Sequence, residues 1–251
     1  MSEISLKLLQ EICSLVTTTS SDGQFRIEDM SDGTSVLYIE SASKTISTAI
    51  RLDSSRLGSL RDDRASVASL KQCIGLLAGT NPSSRATLCA RDGDTLVLTC
   101  NDLDKGVETV FEVPLLDNGD TPIAIATYLN APSTLVSATT TFHTCLLRYV
   151  LSRRDPVLVE IRAGDGVSSL RSIPEPGSSG VLGGESMLAG AVCGERRSAR
   201  FSLNERHMAI LAGETRGRVT STVLLTDESL VIQSETENMR IRHSFASSCE
   251  L

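Results

Sequence analysis

Apolar residues recur with helical spacing in four stretches of this chain and alternate with polar residues in most of what lies between. From Ile4 to Val16, Leu8, Leu9, Ile12, Leu15 and Val16 line one stripe, with Lys7, Gln10, Glu11 and Ser14 opposite; this predicts an amphipathic helix over 4–16. The same period predicts helices over 65–78 (Val67, Leu70, Ile74, Leu77), 138–154 (Phe142, Cys145, Leu146, Tyr149) and 202–212 (Leu203, His207, Ile210, Leu211). Segments rich in Val, Ile, Tyr and Thr predict strands at 24–30, 36–40, 45–52, 86–90, 95–100, 107–115, 157–162, 167–173, 219–226, 229–235 and 239–245. Turn signals separate them, among them Ser31-Asp32-Gly33, Arg91-Asp92-Gly93-Asp94 and Gly164-Asp165-Gly166. Residues 174–184, rich in Gly, Pro and Ser, read as a loop or weak edge strand, and 186–193 fit strand or helix equally.

Two landmarks occur twice. Leu76-Leu77-Ala78-Gly79 returns as Ile210-Leu211-Ala212-Gly213, and Leu96-Val97-Leu98 returns as Leu230-Val231-Ile232, each apolar run beginning 20 residues after its tetrapeptide. A period near half the chain implies two copies of one unit, each ordered helix, strands, helix, strands. Residues 116–133 break the pattern: Asp117-Asn118-Gly119-Asp120 with Pro122, and Asn130-Ala131-Pro132-Ser133, bracket the apolar segment Ile123–Leu129, which reads as a tethered strand in a connector. The predicted fold is therefore α+β in two repeated domains, 1–116 and 134–251, joined by a connector over 117–133.

Composition narrows the function classes. Aromatic residues are only 3 % of the chain and Trp is absent, so the cores are built from Leu, Val, Ile and Ala. A net charge of −7 argues against indiscriminate nucleic-acid binding but leaves room for a locally basic surface. No apolar run approaches the roughly 20 residues of a membrane span, and Glu3, Lys7 and Glu11 interrupt the amino-terminal region, so the expectation is a protein without a signal peptide, in the cytosol or nucleus. Seven cysteines with no C-x-x-C pair fit neither a disulfide framework nor a zinc site and read as small buried apolar residues.

The order and spacing of these elements resemble the eukaryotic and archaeal sliding clamp family, proliferating cell nuclear antigen (PCNA). Ser20-Ser21-Asp22-Gly23 followed by Ile27-Glu28-Asp29-Met30-Ser31 resembles the family's early helix-to-strand passage. Asp94-Thr95-Leu96-Val97-Leu98 resembles a hairpin strand; Leu203–Leu211, Ser221-Thr222-Val223 and Leu230-Val231-Ile232 resemble its last helix and hairpin. The resemblance implies a closed ring of three chains, a homotrimer, around double-stranded DNA held without sequence specificity. It implies a processivity factor in the nucleus, placed on DNA by a clamp loader. DNA polymerase and other replication and repair proteins would dock through short peptide motifs. It implies no enzymatic activity, cofactor, metal or membrane association. The chain has only four lysines, and Ala246-Ser247-Ser248-Cys249 stands in place of the family's usual tail, so a subunit of a heterotrimeric DNA-damage checkpoint clamp is the alternative.

In the family the helices line the hole. The four predicted helices hold Lys7, Lys71, Arg148, Arg153, Arg154 and Arg206 against Glu11 and Glu205, so Lys7, Lys71, Arg148 and Arg206 are the candidate phosphate-facing residues. The resemblance also places a client pocket beneath the connector, lined by Met30, Ile123, Ile125 and Phe245, with the alternative that these are ordinary core and staple residues. Val107–Leu115 is the candidate edge strand, pairing with a neighbour near Gly180–Leu182. Other chemistry is weaker. Ser41-Ala42-Ser43-Lys44 matches S-x-x-K but falls between strands, the histidines have no metal spacing, His207 reads as a satisfied core histidine, and no nucleophile, base and oxyanion donor assemble.

Overall fold

Antiparallel hairpins make most of this protein, as the alternating segments require. The structure, a computed structural model, describes residues 3–19, 24–41, 43–56, 64–66, 85–91, 95–102, 105–114, 125, 129–150, 157–173, 184–189, 192–214 and 220–247. Over these residues it is a mixed, sheet-rich architecture with few helices. The chain folds as two compact units, Met1–Ile125 with Asn238–Ile241, and Ala126–Glu237 with Arg242–Leu251.

The first unit begins with β1 (Glu3–Ser5) and α1 (Leu6–Thr19), then β2 (Gln24–Asp29), β3 (Thr34–Glu40) and β4 (Ile46–Asp53). A short 3₁₀ turn (Ser54–Arg56) leads to β5 (Arg64–Ser66), β6 (Arg85–Arg91), β7 (Thr95–Asp102) and β8 (Val107–Pro114). Hydrogen bonding runs in the orders β5-β2-β3-β4 and β1-β6-β7-β8. Helix α1 packs on β3 and β4 and buries Leu8, Ile12 and Leu15 of its apolar stripe. Strand β3 is buried on both faces from Ser35 to Ile39, which places it inside a layer rather than on one.

The second unit contains β9 (Thr134–Ala138), α2 (Thr139–Val150), β10 (Val157–Gly164), β11 (Val167–Ser172), β12 (Glu185–Met187) and β13 (Arg197–Leu203). The rest of the chain forms α3 (Glu205–Glu214), β14 (Thr220–Leu225), β15 (Ser229–Glu235) and β16 (Arg240–Ala246). Its strand orders are β13-β10-β11-β12 and β9-β14-β15-β16. The apolar runs at Leu96-Val97-Leu98 and Leu230-Val231-Ile232 fall in β7 and β15, third in β1-β6-β7-β8 and third in β9-β14-β15-β16. Helix α2 packs on β9, β14 and α3, with Phe142 and Leu146 fully buried.

Several boundaries differ from the predicted ones for identifiable reasons. The first helix begins at Leu6, because Glu3–Ser5 pairs with β6, and it runs on to Thr19. Its β-branched end holds because the Thr18 and Thr19 hydroxyls donate to the Ser14 and Leu15 carbonyls, at 2.7 and 3.1 Å. Ala65 and Ser66, expected in a helix, are paired with β2, and the remainder of 65–78 lies outside the described residues. Besides β1 and β5, two further strands were not expected, β9 and β13; they push the following helices to start at Thr139 and Glu205. Among the described residues of 186–193, Ser186 and Met187 are strand. Ile125 and Leu129 have helical backbone rather than the strand expected for the connector, and 126–128 between them lie outside the described residues.

One glycine is demanded by the fold. Gly164 ends β10 at φ +138, and a Cβ there would lie 2.5 Å from the Arg196 Cα. Gly166, at φ +76, has nothing within 4 Å of such an atom. Gly164→Ala should cost about 1–3 kcal/mol in chemical denaturation, through strain and the backbone clash together, and Gly166→Ala should cost less.

Candidate functional site

Helix α3 starts with a reciprocal cap. The Asn204 side-chain Oδ1 accepts from the His207 backbone N–H at 3.2 Å, and the His207 Nδ1 accepts from the Asn204 backbone N–H at 2.9 Å. This is the capping-box arrangement with histidine in the place of glutamate. The bond to Nδ1 assigns the ring proton to Nε2. His207 is buried and meets Phe245 edge to face, ring centres 4.8 Å apart, so the inward histidine of the sequence pattern is a satisfied core residue. Asn204→Ala removes one half of the box and should lower stability by about 1 kcal/mol in urea unfolding.

The cap positions Arg206 in the first turn of α3. Lys7 lies at the start of α1 and Arg148 near the end of α2, while Lys71 lies outside the described residues. The cation excess that the sequence predicts rests partly on Lys71, Arg153 and Arg154, which lie outside the described residues. Described helices α1, α2 and α3 carry Lys7, Arg148 and Arg206 against Glu11, Glu205 and Glu214, three of each sign. Glu214 enters because α3 runs past the predicted end, and Arg153 and Arg154 lie beyond the described end of α2.

Of the candidate pocket residues, Met30 closes β2 at a turn where its N–H donates to the Thr34 carbonyl at 2.7 Å. Asp32 shapes that turn by accepting from the Thr34 hydroxyl at 2.6 Å and pairing with Arg51. The Thr34 hydrogen bond, with the Arg51 charge beside it, holds the Asp32 carboxyl below its ordinary range. Met30 itself is half-buried. Ile125 and Phe245 are fully buried, Ile125 in the first unit and Phe245 in the second, and Ile123 lies outside the described residues. The sequence reading missed Arg242: buried in β16, it donates to the Leu129 carbonyl at 2.8 Å and so ties down the end of the predicted connector. A cation inside an alternating strand carries no signal of where its long side chain reaches.

Strand β8 stands at the end of its strand order and carries two large exposed apolar side chains, Val107 and Val110, 52 % and 51 % accessible. This is the place expected for Val107–Leu115. Residues 180–182, its expected partner, lie outside the described residues, but β12, which follows them, is terminal in its own strand order. Ser41–Lys44 is the β3–β4 turn, with the Lys44 N–H donating to the Ser41 carbonyl at 2.8 Å; this is turn architecture, not a catalytic pair. Among the described residues no group of His, Cys, Asp and Glu could hold a metal ion, and no helix is long and apolar enough to cross a membrane.

No protein-family model and no curated protein sequence matches the chain. Among solved structures, the chain is similar to a chain of the complex described as the C-terminal region of FEN-1 bound to A. fulgidus PCNA. The TM-score is 0.65 at 12 % identity, over 100 % of this chain and 98 % of that one. At that identity the likeness is one of fold alone: the sheet-rich architecture is similar to that of a PCNA chain.

Proposed function

We propose that this protein is a sliding clamp: two copies of one unit per chain, closing as a homotrimeric ring around duplex DNA. It serves as a polymerase processivity factor and as a docking platform for replication and repair proteins. The reading is of a non-enzymatic nuclear protein, loaded onto DNA by a clamp loader. The whole-length likeness of fold supports it. So does β8, terminal in its strand order among the described residues, whose exposed Val107 and Val110 suit head-to-tail pairing with a strand end on another copy. Primer extension by a polymerase on a linear primed template with free ends, onto which a ring can thread, with and without the protein, tests the reading directly; products that do not lengthen in its presence would refute it.

The second reading is a heterotrimeric checkpoint clamp, favoured by the scarcity of lysine and by the sequence after Phe245. A chain that stays monomeric alone and enters a ring only with other subunits would decide for it.

In the clamp reading, client peptides bring apolar and aromatic anchors to a surface that includes Met30, whereas Ile125 and Phe245, fully buried, serve as core residues of their own units. Met30, half-buried at its turn, gives the clean test. Met30→Ala should weaken binding of a peptide with aromatic and apolar anchors about tenfold, with little change in melting temperature. Ile125→Ala should instead cost about 2–4 kcal/mol of stability, since its side chain is fully enclosed. Unchanged peptide affinity in Met30→Ala would leave it a turn residue only.

A further inference from the structure

His207 sits in the first turn of α3, 4 % accessible, with its ring edge to face against Phe245. The Asn204 carbonyl accepts from the Met208 N–H at 3.1 Å, so Asn204 is the N-cap and the helical ladder begins there. Two further bonds close the cap, the Asn204 N–H on the His207 Nδ1 at 2.9 Å and the His207 N–H on the Asn204 Oδ1 at 3.2 Å. One half of the cap therefore needs a bare lone pair on an imidazole nitrogen.

That need separates this cap from one closed by glutamine, whose carbonyl oxygen accepts at any pH. An imidazole accepts only while neutral, because the imidazolium carries a proton on both nitrogens. A proton on Nδ1 would set one donor against another, the ring N–H against the Asn204 N–H. It would also place a charge in a buried ring beside an aromatic edge. The closed cap thus excludes the proton. In an opened turn the ring meets water and takes the proton up at about pH 6.5, as an ordinary histidine does.

The ionisable groups around the ring are few. Helix α2 packs on α3 and brings Cys145, buried beside Phe142 and Leu146, with His143 half-buried. On β16, His243 lies on the same side of the strand as Phe245 and is buried. Phe201–Leu203 of β13, which leads into α3, carries no ionisable side chain, and α3 itself adds Glu205, Arg206 and Glu214. Of these side-chain types only histidine ordinarily changes charge between about pH 7.5 and about pH 5.5. His143 and His243 are therefore the competing groups, and both are retained when His207 alone is changed.

We infer that the start of α3 is an acid-released latch: neutral His207 holds the first turn closed, and its protonation opens that turn. The proton is bound by the open form alone. The latch is then at full strength above about pH 6.5 and weakens below it, its opening equilibrium rising about tenfold per pH unit. Opening stays local, because Ile210 and Leu211 are buried one turn further on and keep the rest of the helix docked. The inference concerns α3 alone and does not rest on the clamp reading, although the turn it frees carries Arg206.

Amide hydrogen exchange on the full chain, expressed as protection factors so that intrinsic exchange is divided out, reads the latch. From about pH 7.5 to about pH 5.5 the protection of the Asn204 and His207 amides should fall about tenfold, while that of Val231, in the middle of β15, should hold. His207→Gln keeps an acceptor in the box and removes the titration, so its Asn204 and His207 positions should lose no protection over the same range. Where that variant melts early, the contrast between Asn204 and Val231 in the unaltered chain decides alone. Protection at Asn204 that does not change with pH would overturn the proposal. So would a fall at Val231 equal to that at Asn204, which would make the effect global, or an undiminished fall in His207→Gln, which would assign it to His143 or His243.

Discussion

Reversing Lys7, Lys71, Arg148 and Arg206 together to glutamate should abolish clamp-stimulated DNA synthesis while the protein remains folded. The contacts proposed for these residues are electrostatic and read no sequence, so their effect should appear as salt dependence. Each phosphate neutralised contributes about −0.9 to the slope of log affinity against log salt, and a ring repeats every site in each copy. Reversal removes the attraction and adds repulsion at the same positions.

The cost to the fold is small because the helix ends partly compensate. Arg206→Glu puts a carboxylate in the first turn of α3, where the helix dipole favours it. Arg148→Glu meets no acidic residue along the described length of α2. Lys7→Glu faces Glu11 one turn on, costing about 0.2–0.5 kcal/mol. Primer extension at moderate salt, with circular dichroism melting as the control, reads both halves. Processive synthesis by a folded quadruple variant would show that these residues do not line a channel. The three-to-three balance on the described helices makes this a demanding test, since it is the placement of the charges, not their total, that has to produce the channel.

Val107→Lys with Val110→Lys should convert a species of about three chain masses into a single chain of 26.8 kDa by light scattering. Both side chains are about half exposed on a terminal strand, so the change costs little inside the chain. Lysine on an exposed edge is the device by which natural sheets refuse a partner. A trimer that survives the double change would move the subunit contact elsewhere, and a wild-type chain that is already monomeric would favour the heterotrimeric reading.

The core was legible wherever a stripe or an alternation faced a single environment. Leu8, Ile12 and Leu15 on α1, Phe142 and Leu146 on α2, and Ile210 and Leu211 on α3 are buried as their spacing requires. Strands β2, β10 and β15 begin at the residues their alternation predicts. These patterns are local consequences of side-chain direction in helix and strand, and a sequence carries them whole.

Tertiary pairing decided the rest. Thr134–Ala138 is too short to declare itself a strand and becomes one against β14; Arg197–Leu203 does so against β10. The start of α3 is set by Asn204 and a histidine that substitutes for the usual glutamate, a signal only geometry reveals. The sequence placed its candidate cations on helices and its pocket residues near a connector. It could not tell that Ile125 and Phe245 would be fully enclosed. Nor could it tell that Arg162, Arg196, Met187 and Val167, from four different strands or turns, would share one groove. Composition and periodicity report which side of its own element a residue occupies; which residues meet is set by strand register and order, a long-range property that no local pattern encodes.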